Sequence, residues 1–232
     1  MGLCLTGKPE DVADVVLLTQ DTCNVQRIAR DFLQDARCYN EIRNMHGFTG
    51  TYQGRAVTVQ GTGIGPVSAA MYAAEIAGEF GAKCLIKLDG CTAVDPRLKP
   101  GDWLLAQTAH TTARINRLRF GGRTFPAAAE FELLNKAYER ARAAGQPIWA
   151  GPVLSLESRD ELPLVPRFAA RGTLGLDMEL NQVYTVAARF GLPALGLLCV
   201  FENSVTGEAL TEGQRQDAYG ALARFALGLA AE

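Results

Sequence analysis

The amino-acid sequence predicts an α/β protein in which residues 1–232 form one domain around a mostly parallel sheet. Two observations lead to this class. Short apolar runs bounded by turn residues alternate with stretches of helical period, which is the pattern of strands joined by crossover helices. Neither an internal repeat nor a low-complexity linker divides the chain.

In the first half of the chain, turn residues separate the predicted strands and helices. Apolar and β-branched runs predict strands at 15–18, 48–52, 55–60 and 84–88. Apolar residues at helical spacing predict helices at 25–35 and 68–80. Gln53-Gly54 joins two of the strands as a turn. Gly81 ends the second helix, because glycine tolerates the left-handed conformation of a helix end.

The second half repeats this alternation. Strands are predicted at 103–106, 149–154 and 194–201. Helices are predicted at 131–144, 178–190 and 214–231. Pro100-Gly101-Asp102 marks the turn before the first of these strands, and Gly145 ends the first of these helices. The irregular stretch 157–172, which holds Pro163 and Pro166, is interpreted as a flap over an active site.

Charge and composition exclude several classes of function. The formal net charge is -2 and the sequence lacks the long basic stripe that nucleic-acid binding needs. No run reaches the ~18 apolar residues of a membrane span, and the start lacks a signal peptide. The 6 cysteines contain no C-x-x-C pair, so we expect a cytoplasmic protein. His46 and His110 are not spaced as metal ligands, so neither a metal nor another cofactor is expected.

Residues 61–66 (GTGIGP) follow a predicted strand and precede a predicted helix. The backbone N–H groups of such a loop, together with the helix N-terminus, can meet an anion or a sugar hydroxyl. Close glycines serve a tight strand-to-helix turn equally well. The loop alone leaves these two interpretations open.

Asp177, Met178 and Glu179 stand where the chain enters the helix predicted at 178–190. Asp177 suits an N-terminal cap, because aspartate is a strong N-cap residue. Glu179 next to Met178 has a second interpretation: a carboxylate beside a thioether can hold the vicinal hydroxyls and the apolar face of a ribose. We therefore take Met178 and Glu179 as candidate sugar-binding residues.

Glu202 follows an apolar strand, at the carboxyl end where open α/β sheets bind their ligands. It is our candidate acid, and a solvated loop glutamate is the alternative. Arg215 lies on the next predicted helix and could hold the Glu202 carboxylate in a charge-assisted pair, although an exposed arginine is also ordinary.

Several stretches together resemble one known family. They are ADVVL (13–17), FLQDAR (32–37), MHGFTGTY (45–52), GTGIGP (61–66) and residues 177–191. Their order is similar to that of the bacterial, hexameric type of purine nucleoside phosphorylase, in the superfamily of nucleoside phosphorylases and nucleosidases. The resemblance spans nearly the whole chain. It implies a three-layer α/β/α sandwich around a mixed, distorted, barrel-like sheet, and subunits assembled as dimers or as a trimer of dimers.

The resemblance carries over to some site residues unchanged. Met178 and Glu179 match the ribose-binding pair of the family, and Arg215 matches its helix arginine. Arg43 matches an arginine that the family lends across the dimer interface to a neighbouring phosphate site. Glu202 stands where the family has the aspartate that protonates the purine. The glutamate side chain is one methylene longer than that aspartate.

The phosphate site of the family is changed in this sequence. Where the family has Gly-Asp-Pro-x-Arg, this chain has Gln20-Asp21-Thr22-Cys23-Asn24, without the arginine. Lys87 replaces a second arginine and keeps only its charge. Gly90 replaces a serine, and Asp89 adds a negative charge beside it. We assign the phosphate or acceptor site to Arg43, Lys87, Gly90, Asn24, Gln20, Asp21 and Asp89, and expect phosphate to bind poorly.

The nucleoside side also differs from the family. Cys4 replaces the histidine that a neighbouring subunit offers to the 5′-hydroxyl. Arg159 stands in place of an aromatic residue that stacks on the base, and an arginine can also stack on a purine. Phe201 replaces a serine before the acid. Arg159 and Phe201 are therefore assigned to the base, and Cys4 to the sugar.

These residues lead to two hypotheses. The first is an enzyme of purine nucleoside metabolism, a pentosyltransferase or nucleosidase, that cleaves or exchanges the N-glycosidic bond, with water in place of phosphate and Asp21 or Asp89 orienting it. True phosphorolysis remains a variant of that activity. The second is a non-catalytic nucleoside-binding protein, or a partner subunit whose Arg43 completes the site of an intact relative. Expected partners are a nucleoside and further copies of the chain, with no nucleic acid or membrane.

Overall fold

A computed structural model describes residues 2–231 and confirms the α/β fold. The strands are β1 (Val15–Thr19), β2 (Gln34–Asn40), β3 (Gly47–Tyr52), β4 (Arg55–Gly61), β5 (Cys84–Ala93), β6 (Trp103–Thr111), β7 (Ile148–Ser155), β8 (Gly175–Asp177) and β9 (Ala194–Asn203). The α-helices are α1 (Thr22–Phe32), α2 (Pro66–Gly78), α3 (Ile115–Arg119), α4 (Phe131–Ala143), α5 (Val165–Ala169), α6 (Leu180–Phe190) and α7 (Glu212–Ala230). Short 3-10 helices lie at Pro9–Asp11, Ile42–Asn44 and Arg159–Leu164.

The strands form one sheet in the order β2-β3-β4-β1-β5-β8-β7-β6-β9. Strand β5 pairs with both β8 and β9, so the last five strands of that order close into a barrel. Strand β1 is parallel to β4 and β5, and β5 is parallel to β9. The carboxyl ends of β1, β4, β5 and β9 therefore meet at one edge of the sheet, where α/β proteins bind ligands.

Helices cover both faces of this sheet, which gives the predicted three layers. One buried cluster joins α2 and α6 to residues such as Val16 and Leu85, and the other joins α1, α4 and α7 to residues such as Leu17 and Ile86. Consecutive residues of a strand therefore point to opposite helix layers, because side chains alternate between the two faces of a sheet. Lys87 and Asp89 follow Leu85 at that spacing and share its face.

Two strands were missed by the sequence analysis. Strand β2 is polar and mostly exposed at an edge of the sheet, so it lacks the apolar alternation that marks a strand. As a result the helix predicted at 25–35 ends earlier, at Phe32, and it also begins earlier, at Thr22, because Asp21 accepts a hydrogen bond from the Cys23 N–H as its cap. Strand β8 has only three residues, too few to give a periodic signal.

Other predicted elements are present with shifted ends. The strands predicted at 84–88 and 103–106 continue to Ala93 and Thr111. The flap at 157–172 contains the 3-10 helix Arg159–Leu164 and helix α5. Within residues 2–231, the search for a helix with the length and hydropathy of a membrane span finds none.

The glycine loop between β4 and α2 depends on its glycines. Gly63 has φ 69° and Gly65 has φ 97°, values that a residue with a side chain adopts only under strain. Pro66 then opens α2, where its missing N–H is not needed. The loop turns from strand to helix in four residues, 62–65, and aims the Gly65 N–H at the side chain of Glu179, at 2.8 Å.

The strain at this loop gives a first prediction. Replacing Gly65 by alanine should lower the free energy of unfolding by about 1–2 kcal/mol, because the backbone is left-handed there. Gly213→Ala, in the first turn of α7 with open space around the new Cβ, should leave stability unchanged or raise it by about 1 kcal/mol at most. Urea unfolding of both variants measures this, and equal effects would show that the loop is not strained.

Candidate active site

The ammonium of Lys87 lies between two carboxylates at the sheet edge. Its side chain is fully buried, its Nζ lies 3.2 Å from Glu179 Oε2, and it donates a close hydrogen bond to Asp89 Oδ2. The alternation of β5 places Lys87 and Asp89 on one face, and the chain entering α6 brings Glu179 over them. Two buried carboxylates therefore share one cation, an arrangement that is stable only while the cation stays in place.

Asp89 also joins the middle of β5 to the end of β1. The hydroxyl of Thr19 donates to its Oδ1 at 3.1 Å, and the backbone N–H of Gln20 donates to its Oδ2 at 3.1 Å. Tyr219, on α7, donates in turn to the Thr19 hydroxyl at 2.9 Å. The Asp89 carboxylate is thus bonded to a hydroxyl, a backbone N–H and an ammonium.

Glu179 is fixed by the elements on either side of it. Its Oε1 accepts the Gly65 N–H, and its own N–H donates to Asp177 Oδ2 at 2.7 Å. Asp177 Oδ2 also accepts the Leu180 N–H, and Ser155 donates to Asp177 Oδ1 at 2.5 Å. The N-cap residue of α6 is Glu179 and not Asp177 as expected, because Asp177 ends β8 and α6 begins at Leu180, two residues later than predicted; the Asp177 carboxylate still accepts N–H groups at the start of the helix. Burial raises the pKa of Asp177, and the nearby charge of Glu179 adds to this.

Glu202 and Arg215 are paired, as the sequence suggested. Arg215 Nη2 lies 3.3 Å from Glu202 Oε2, and the Thr92 hydroxyl donates to Glu202 Oε1 at 2.9 Å. The Arg215 guanidinium also lies 5.6 Å from the centre of the Phe201 ring. Both charged side chains are partly exposed, at 35% for Arg215 and 46% for Glu202, so a ligand could reach the carboxylate.

The ring of Phe201 packs directly against the backbone of Gly90. A Cβ placed on Gly90 would lie 2.2 Å from two ring carbons of Phe201, far inside van der Waals contact. Only glycine fits at this position while the phenylalanine is present. The glycine at 90 and the phenylalanine at 201 are therefore coupled by this contact.

Cys4 and Arg43 lie apart from this cluster within the chain. They line a cavity of about 630 Å³ beside the glycine loop and the start of α2. Arg43 is exposed on a left-handed turn (φ 55°) and donates to the Leu3 carbonyl at 2.7 Å. Cys4 is buried, its N–H donates to Glu75, and burial together with the Glu75 charge raises the pKa of its thiol to about 11.

The remaining predicted residues occupy three different places. Asp21 caps α1, and Asn24 lies half-buried in the first turn of that helix. Met178 is half-buried beside Glu179. Arg159 is exposed at the start of the 3-10 helix 159–164, and its assignment to the base stays a prediction. Among residues 2–231, no group of three or more His, Cys, Asp or Glu side chains is arranged to hold a metal ion.

Four contributors were missed by the sequence analysis, namely Thr19, Gly65, Thr92 and Tyr219. Each contacts a partner far away in the chain: 70 residues separate Thr19 from Asp89, and 110 separate Thr92 from Glu202. Gly65 alone had a local signal, since it belongs to the glycine loop. For Thr19 and Thr92, the sequence offered one indication of a role at the site: a polar β-branched residue near the end of an apolar strand.

The ion cluster gives a second prediction. Lys87→Met should lower the free energy of unfolding by about 3–5 kcal/mol, because Asp89 and Glu179 lose their shared cation while they remain buried. Adding Asp89→Asn should recover part of that loss. Lys83→Met, at an exposed position four residues earlier, should change stability by no more than about 0.5 kcal/mol. Chemical denaturation tests this, and a mild effect of Lys87→Met would mean that the cluster is solvated.

Comparison with known proteins agrees with this architecture. A family model described as the phosphorylase superfamily matches residues 14–230. A DeoD-type purine nucleoside phosphorylase of Alkaliphilus metalliredigens is 37% identical over 232 residues, with 99% of this chain and 100% of the relative covered. Proteins of the same name from Bacillus cereus and Clostridium novyi are 38% identical over 232 residues and are covered over 99% and 100% of their lengths. The chain therefore belongs to the phosphorylase superfamily and, within it, to the family of DeoD-type purine nucleoside phosphorylases.

Proposed function

We propose that this protein cleaves the N-glycosidic bond of a purine-like nucleoside and that water replaces phosphate as the acceptor. The observation that carries the proposal is the placement of Glu179 and Glu202 at one edge of the sheet, both in contact with strand β5. Glu179 reaches Lys87 of that strand and Glu202 reaches Thr92. A nucleoside lying along the end of β5 would have its sugar at the first carboxylate and its base at the second.

Glu179 is suited to bind the ribose. A carboxylate offers about four lone-pair positions, and the Gly65 N–H and Lys87 use two of them. Because the Glu179 side chain is buried, the vicinal hydroxyls would reach the other positions only as the residues over it open, and Met178 beside it would supply an apolar contact for the ring. Its fixed position means that little conformational freedom is lost when the sugar binds.

Glu202 is suited to donate a proton to the departing base. Its carboxylate takes up a proton from solvent as the pair with Arg215 opens and passes it to the purine nitrogen as the N-glycosidic bond breaks, while the water that attacks the sugar releases a proton to solvent. Arg215 and Thr92 hold its two oxygens, so the carboxylate is oriented before the substrate arrives. A purine nitrogen would compete with Arg215 for this group, and the guanidinium can stay against Phe201 as the pair opens. General acid catalysis of this kind contributes about 10²–10⁴ in rate.

The acceptor is proposed to be water because the cations that one copy of the chain would itself place at a phosphate site are absent or engaged, which leaves only the Arg43 of a neighbouring copy. Asn24 carries no charge where the relatives' arginine is expected, and Lys87 is already shared by Asp89 and Glu179. A phosphate would meet two nearby carboxylates, and near-contact repulsion at an effective dielectric of about 20 amounts to several kcal/mol. Water meets no such barrier.

A second copy of the chain is proposed to complete the site. Arg43 and Cys4 line the cavity beside the glycine loop, whose rim carries the exposed apolar side chains of Ile64, Val67 and Met71. An apolar rim of this kind is typical of a subunit interface. A neighbour seated on it would be brought next to Arg43.

Product analysis tests the reaction. The protein is incubated with purine nucleosides with and without phosphate, and base, ribose and ribose 1-phosphate are resolved. We expect base and ribose at a rate that phosphate does not change. Ribose 1-phosphate that saturates with millimolar phosphate would establish phosphorolysis, and binding without base release would establish the non-catalytic alternative.

The acid has its own test in the same assay. Glu202→Gln should lower base release by about 10²–10⁴-fold, because the amide cannot donate the proton to the departing base. Glu208→Gln makes the same change in the exposed loop after β9 and should leave the rate unaltered. Equal rates for both variants would remove Glu202 from the mechanism.

Sedimentation velocity tests the assembly. At micromolar concentration we expect dimers or a trimer of dimers, because the apolar rim around Arg43 is then covered. Val67→Asp places a charge on that rim and should shift the distribution toward monomer. A monomeric wild-type protein would contradict the shared site.

A further inference from the structure

The groups that surround the Asp89 carboxylate would bind a phosphate or sulfate if the carboxylate were not there. They are the ammonium of Lys87, the backbone N–H of Gln20 at the end of β1 and the hydroxyl of Thr19. A cation, a backbone N–H and a hydroxyl that converge at a strand end are the usual donors for an oxyanion. Here the oxyanion that they hold is part of the chain.

We infer that Asp89 is an internal anion that occupies the acceptor-anion subsite, so that it excludes phosphate and determines the acceptor. The inference rests on the proposed function and adds the residue responsible. It concerns one chemical class: tetrahedral oxyanions such as phosphate and sulfate are excluded, whereas neutral acceptors are not.

An internal anion has an advantage over a free one. Asp89 is fixed to β5 by its own backbone, so its effective concentration at Lys87 far exceeds the millimolar concentration of a free anion. Glu179 stands on the other side of Lys87 and adds further negative charge. A phosphate would have to displace one carboxylate and approach another.

The space beside this subsite is closed by a separate feature. The Phe201 ring lies against Gly90 and leaves no room for a side chain there, so the hydroxyl expected from the family resemblance cannot be supplied. Removal of the Asp89 carboxylate alone should free the three donors around it to bind an anion. To add the serine hydroxyl as a further donor, position 90 must become serine and position 201 must carry a smaller residue.

Phosphate binding to Asp89→Ala tests the inference without relying on turnover. In this variant Lys87 keeps Glu179 as a partner, so the folded state retains a paired cation. We expect inorganic phosphate to bind in calorimetry about tenfold or more tightly than to wild type, and to raise the Tm of the variant and not that of wild type. Asp31→Asn, an exposed aspartate of α1 paired with Arg27 and Arg30, is the control and should behave as wild type.

Two further variants keep the test decisive. Asp89→Asn removes the charge and preserves the shape, so it decides the question if Asp89→Ala does not fold, and it should bind phosphate more weakly than Asp89→Ala but measurably. Adding Gly90→Ser with Phe201→Ser to Asp89→Ala should tighten phosphate binding further. Saturable phosphate binding by wild type at millimolar concentration, or folded Asp89 variants that bind none, would overturn the inference.

The same variants separate this inference from the proposed function. If no variant releases base and Asp89→Ala binds phosphate, the inference stands and the proposed reaction fails. If wild type releases base without phosphate and the folded Asp89 variants bind none, the reaction stands and the inference is wrong. If Asp89→Ala forms ribose 1-phosphate in phosphate buffer, both are supported.

Discussion

The buried contact of Lys87 with Asp89 and Glu179 holds the candidate site together. Through these three side chains the end of β1 and the middle of β5 are joined to the start of α6, and the Gly65 N–H adds the glycine loop through Glu179. A buried cation must be paired, and Lys87 is the charged partner of both carboxylates. The position of the Glu179 carboxylate is therefore set by electrostatics as much as by helix α6.

Under the proposed function, this arrangement lets a member of a phosphorylase family keep a nucleoside site without a phosphate acceptor. The carboxylates assigned to sugar and base are held by Gly65, Lys87, Thr92 and Arg215, none of which requires a bound anion. On the proposed acceptor side, two neighbouring positions of β5 make different contacts. Asp89 takes the donors, and Phe201 fills the space over Gly90.

The sequence predicted the fold better than it predicted the contacts among the candidate site residues. The apolar runs of β1, β4 and β9 and the helical period of α2 and α7 were sufficient to predict these elements of the hydrophobic core. Strand β2 was missed because an exposed edge strand needs no apolar side chains. Asp89 was recognised as an added negative charge, but its bond to Lys87 and to the end of β1 depends on strand pairing between distant segments. The contact of Phe201 with Gly90 likewise follows from the β5 and β9 register, which composition and period do not specify.

A crystal structure of the wild-type protein grown at high sulfate concentration tests the central claim most directly. Sulfate is a close mimic of phosphate in shape, and its electron density is easily recognised. The account predicts that the Asp89 carboxylate stays on the Gln20 N–H and Lys87, with no sulfate between them. Sulfate bound to Lys87 and the Gln20 N–H, with Asp89 rotated away, would contradict it.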